Sequence, residues 1–309
     1  MLEPAVIILR LVQFTGAMIL FGSSLFLIYA LPRAGPGSGE QLNWSRPLLG
    51  WSAGALLAAA LLGLAAQTSV LAGSISEGLK LSSLTAVVTT MSLGKAAIVR
   101  AVAAGLALSA VLVLRPGRPL FWLCTALGAV ISASLAWMGH GAATEGTGGP
   151  VHLTADILHA LAAGIWTGAL VVFFGLLRPA SGDAGNHHAV HKALHGFAGV
   201  GSGLVAVLVG TGLVNSWFLV GPARIAGLWT TPYGQLLLLK LVLFAGMLAL
   251  AAANRFRLTP ALGAALENNE TRQEALAALR RSLVVETALA FLVLGVIAWL
   301  GMLAPVSAQ

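Results

Sequence analysis

Eight stretches of mainly apolar residues, each long enough to cross a bilayer, divide this 309-residue chain. A spanning helix needs about 20 such residues. The stretches run at roughly 5–31, 48–72, 96–114, 119–139, 153–177, 196–219, 233–254 and 282–304. Inside a bilayer every backbone amide must bond within the chain, so runs of this kind form helices. The expected fold class is therefore all-α: a polytopic membrane helical bundle, one membrane domain over residues 1–309. Composition agrees, with 58% hydrophobic and only 9% charged residues, against about 25% charged in soluble domains. The net charge of +7 is spread through loops and not gathered into a patch with aromatics, which excludes nucleic acid as a partner. The opening MLEPAVIILRLVQF lacks a basic leader and a cleavage site, and reads as a retained first span. The lone Cys124 excludes an internal disulfide or a thiolate metal cage.

Two connecting segments carry structure of their own. Residues 74–95 read as a longer loop with an interfacial helix. Residues 263–281 are polar and helix-favouring, and read as a surface helix running into the last span. Lys/Arg counting orients the bundle. The loops after odd spans hold Arg33, Arg46, Arg115, Arg118, Arg178, Lys192, Arg255, Arg257, Arg272, Arg280 and Arg281, which is 11. The loops after even spans hold Lys80, Lys95 and Arg224, which is 3. The odd loops are thus expected in the cytoplasm, and both termini outside.

The chain also reads as a 4+4 duplication with parallel halves, repeat 1 over about 5–139 and repeat 2 over about 153–305. Thr125 and Ala136-Trp137-Met138-Gly139 in span 4 match Thr287 and Ala298-Trp299-Leu300-Gly301 in span 8 at one offset. Gly94, Arg100 and Arg115 match Gly234, Lys240 and Arg255 with the same spacings. Gln13 and Gly22 in span 1 match His159 and Gly168 in span 5. On this register Arg10 corresponds to Asp156, and Met302 to His140. Gly16, Gly22, Gly63, Gly164, Gly168 and Gly212 read as positions of close helix packing.

Chemistry concentrates around Trp137–Leu170, WMGHGAATEGTGGPVHLTADILHALAAGIWTGAL. His152, Asp156 and His159 are spaced i, i+4, i+7 and share one helix face. With His140 across a short loop, they place three imidazoles and a carboxylate at the expected outer mouth. Such groups are costly in a membrane protein and mark function by default. Neutral imidazoles suit a borderline or soft transition metal, and the Met138 and Met302 thioethers would favour copper(I). Asp156 could ligate, orient a His or pair with Arg10. A second cluster, His187, His188, His191 and His195, has ligand-like spacing at the expected inner face, and equally the pattern of a solvated His-rich loop. Arg100 and Lys240 could snorkel to the interface, and Glu286 could pair with Arg255 or serve transport. Gln13 and Arg10 complete the intramembrane polar set. Phosphate loops, nucleophile elbows and HExxH are missing from the sequence, so no enzymatic activity is expected.

The stretch WMGH…H-x3-D-x2-H…W-x-G-x-L (His140, His152, Asp156, His159, Trp166, Gly168, Leu170) resembles the copper resistance protein D (CopD/PcoD-like) family. So do Gly212, Asn215, Ser216, Thr231-Pro232-Tyr233-Gly234, Lys240, Asn254-Arg255, Glu286 and Pro305. The resemblance is good over roughly 120–305 and weaker before. It implies eight spans in the bacterial inner membrane, a role in copper handling, commonly copper uptake, and a separate periplasmic CopC-like copper-binding protein as partner beside the lipid bilayer. Two other readings stay open: a membrane electron-transfer protein holding haem b between facing His residues, and a non-transporting copper sensor or delivery platform.

Overall fold

A computed structural model describes residues 3–30, 44–177, 184–265 and 269–309. Arg33 and Arg178, and the side chains of His187, His188 and Lys192, lie outside the described residues. Among the described residues, eight helices are long and apolar enough to cross a membrane. They are α1 (Glu3–Tyr29), α2 (Ser45–Leu71), α3 (Ser92–Val113), α4 (Arg118–Met138), α5 (Gly149–Leu176), α6 (Ala193–Leu219), α7 (Pro232–Ala265) and α8 (Thr271–Leu300). The expected all-α membrane bundle is the observed one. The interfacial segment forms short helices at Ile75–Gly78 and Leu81–Thr90. The polar stretch before the last span is the start of one continuous helix, Asn269–Leu300. α7 runs further than hydropathy suggests, because a π-helical turn at Asn254–Leu258 carries the helix on toward Ala265.

α1 lies at the centre, packed on α2, α4, α5 and α8. A π-helical turn at Ile19–Ser23 interrupts it. There α1 crosses α5 through glycine alone. A Cβ on Gly22 would collide with the Gly164 carbonyl, and one on Gly168 with the backbone of Gly22 and Ser23. The Ser23 hydroxyl, fully buried, donates to the Gly168 carbonyl at 3.2 Å. Gly16 sits against Leu56 and Ser52, and Gly63 against Gln13. Small residues at these crossings let backbones approach where lipid supplies no hydrophobic drive between helices.

The two halves share local devices. Gly94 at the start of α3 lies against Val87 and Val88 of the preceding short helix, and Gly234 at the start of α7 lies against Gly227 and Leu228 of another (Gly227–Thr230). They differ in openness. α2 packs closely along α3, whereas α6 and α7 scarcely touch along their spans. A cavity of about 290 Å³ lies on that side, walled by α5, α6, α7 and α8. The loops joining even helices to the next odd ones gather at one end, called here the even-loop face, and the Arg-rich loops gather at the other.

Candidate functional site

His152, Asp156 and His159 lie on the first three turns of α5, as the i, i+4, i+7 spacing requires. The turn after α4 folds over them. The chain at Gly141 runs so near Asp156 that a Cβ there would lie 2.6 Å from Oδ2. His140, at that turn, is half-buried, its ring edge-on to Tyr233 at 5.9 Å. Burial and the positive charge of Arg10 hold the His140 imidazole below its usual pKa. It is therefore neutral at pH 7, the form that can ligate a metal.

His159 has a fixed tautomer. The Thr211 hydroxyl owns a single hydrogen and donates it to the Val207 carbonyl at 2.6 Å, a back-bond typical of a helical threonine. The 2.9 Å contact between Thr211 Oγ1 and His159 Nδ1 is then a bond donated by Nδ1–H. Nε2 consequently carries the free lone pair. His152 is 1% exposed and stacks on Phe218, ring centroids 4.8 Å apart. Its Nδ1 lies 2.7 Å from the Thr144 hydroxyl, while its buried Nε2 has no partner. Buried polar atoms in folded proteins are nearly always satisfied, which sets this nitrogen apart.

Asp156 accepts from Asn215 Nδ2 at 3.3 Å and is attracted to Lys240 from α7. It makes no ion pair with Arg10, contrary to one expectation. Arg10 turns instead to α4 and donates to the Met138 carbonyl at 2.6 Å, with its guanidinium against Gly301. Met138 and Met302 end α4 and follow α8, both partly buried. No three His, Cys, Asp or Glu side chains converge into a metal-binding group among the described residues. These polar residues share the even-loop end of the bundle, each held by its own neighbours.

Residues 1–150 match the family described as copper resistance protein D-like, N-terminal domain, and residues 191–300 match copper resistance protein D. Over 307 residues the chain is 39% identical to a copper resistance protein D of Pseudomonas syringae pv. tomato, covering 98% of this chain and 97% of that one. The chain belongs to the copper resistance protein D family. It is also 33% identical over 144 residues to the inner membrane protein YebZ of Escherichia coli (strain K12), covering 46% of each. No solved structure matches it.

In this copper resistance protein D family member a second polar group lies deeper, toward the Arg-rich end. Glu286 of α8 is 2% exposed and accepts from Trp166 Nε1 at 2.9 Å and Asn254 Nδ2 at 2.8 Å. The three line the cavity beside α6 and α7. The π-helical turn begins at Asn254 and aims it there. The expected pairing of Glu286 with Arg255 is not formed. Arg255 bonds the Ser202 hydroxyl instead. Of the histidines in and just before α6, His191 packs on Gly263, where an added Cβ would lie 2.7 Å from Nε2, and its ring centroid is 6.3 Å from that of His195. His187 and His188 cannot be placed beside them, since their side chains lie outside the described residues.

Sequence reasoning missed Thr211, Thr144 and Phe218. Thr211 carried a readable signal: it stands one helical turn before Asn215, so both face α5 together.

Proposed function

We propose that this protein carries copper across the bacterial inner membrane, taking it up at the even-loop face and releasing it to the cytoplasm. The observation that carries this reading is the pair of imidazole nitrogens left open in α5: His159 Nε2, whose lone pair is set by the Thr211 bond, and the unpartnered His152 Nε2. A His that donates its other ring N–H to a fixed partner is the usual arrangement of a metal ligand. His140, Asp156, Met138 and Met302 supply further donors at the same end. A carrier must also let its ion go, which suits separate, incompletely satisfied donors better than a closed cage. The cavity with Glu286 on its wall offers the exit toward the Arg-rich loops. That end is cytoplasmic by the excess of Lys and Arg, which leaves both termini periplasmic. A separate CopC-like protein would deliver copper from the periplasm. The membrane follows the Escherichia coli relative, which is called an inner membrane protein. The two halves are read as duplicates, supported by the matching settings of Gly94 and Gly234.

The test is copper(I) uptake into proteoliposomes. Replacing His152 and His159 together by alanine is expected to lower the initial rate at least about tenfold. Unchanged uptake by folded variant protein refutes the site, and a Soret band in the purified wild type replaces transport with haem ligation.

Thr211→Val gives a finer expectation. Valine keeps the shape but leaves the His159 Nδ1–H without an acceptor and frees the tautomer. Copper affinity is expected to fall about tenfold. The same change should leave thermal stability within about 2 kcal/mol of wild type. Titration of purified protein with a copper(I) competitor measures the first, and a melting curve the second.

A further inference from the structure

Two guanidinium groups are buried side by side in the even-loop half of the bundle. Arg10 on α1 is 6% exposed and Arg100 on α3 is 2% exposed. Each lies about 10–12 Å along its helix from the even-loop end. Arg100 does not snorkel as its position suggested, but turns inward and donates to the Ser134 carbonyl at 3.3 Å and hydroxyl at 3.4 Å. The two cations repel each other, and Arg10 also opposes charge on His140.

Among the described residues no carboxylate pairs with them. The ion pair among the described residues is Lys80–Glu77, on the exposed connection before α3. The Nε atoms of both arginines are buried without a hydrogen-bond partner. Arginine has no route to neutrality by losing a proton. Two uncompensated charges inside a membrane bundle are costly, and buried charges are ordinarily paired. Arg10, Gln13, Arg100 and Met138 line one small pocket between α1, α2, α3 and α4. Its volume of about 30 Å³ has room for a small ion.

We propose that Arg10 and Arg100 together hold a small inorganic anion of halide size in this pocket. The bound anion balances the guanidinium pair and lowers the positive field felt by a metal cation near His140. It is a site separate from the copper donors of α5, lined by α1, α2, α3 and the end of α4.

The test is thermal unfolding of the full chain in nanodiscs, in sodium chloride or bromide against sodium gluconate at equal ionic strength. Halide is expected to raise the melting temperature by at least about 2 °C. Arg10→Gln and Arg100→Gln are each expected to abolish that response. A wild type indifferent to halide overturns the proposal, as does a response that survives in both variants. Stabilisation by phosphate and not by halide overturns the assignment of size. If the variants do not fold, wild-type crystals grown in bromide decide the matter: an anomalous peak between the two guanidiniums is expected, and its absence overturns the site.

Discussion

Replacing Gly168 by valine is expected to leave almost no folded protein. A Cβ at 168 would overlap the backbone of Gly22 and Ser23, and one at Gly22 would overlap Gly164 in return. The obstacle is main chain on both sides, so no rotamer relieves it. α1 and α5 would have to part, breaking the Ser23–Gly168 bond and unpacking Met18 and Phe21, which lie against Gly164. Ordinary overpacking costs about 1–3 kcal/mol. Here two central helices are pushed apart and the loss should exceed that range. The yield of monodisperse protein after detergent extraction measures it. Gly105→Ala is the control, because nothing lies within 4 Å of a Cβ there and alanine favours helix. The control should purify like wild type, and a Gly168→Val protein that does so as well refutes the crossing.

Glu286→Leu is the second large effect. Leucine fills the volume but removes the acceptor for two buried donors, Trp166 Nε1–H and the Asn254 amide. Each donor left unpaired away from water costs about 1–3 kcal/mol. The variant should therefore lose on the order of 4 kcal/mol, seen as a lower melting temperature. Glu286→Gln keeps a carbonyl for the indole, and the Asn254 amide can turn to meet it. It should lose far less than the leucine variant. Equal losses in the two variants would show that the cavity wall depends on the charge of Glu286 and not on its capacity to accept.

The polar residues of α5 illustrate what can be read from a sequence. The i, i+4, i+7 spacing placed His152, Asp156 and His159 on one face of a helix, and that is where they lie. Their partners could not be read in the same way. Asp156 looked like a mate for Arg10 because the two occupy corresponding places in the duplicated register. In the folded chain Asp156 accepts from Asn215 of α6 and feels the charge of Lys240 on α7, while Arg10 faces α4. Arg100 looked able to snorkel because it stands near a helix end, yet α2 and α4 enclose it. Gly22 and Gly168 were recognisable as packing residues, but that they pack on each other depended on the π-helical turn in α1, which no hydropathy pattern announces.

Hydropathy is a property of each segment taken alone, and the bilayer forces any sufficiently long apolar segment to be a helix. The number of spans, the limits of the first six to within a few residues and the placing of His140, His152 and His159 at one end were therefore determined by the sequence. The rotation of each helix about its axis and its height against its neighbours were not. Alanine, leucine and glycine occur on every face of these helices, so several rotations bury similar apolar area. Packing at a few glycines and the need to satisfy buried polar groups choose among them. Only the tertiary structure could thus decide that Glu286 is held by Trp166 and Asn254, that His159 presents Nε2, and that two arginines share one pocket.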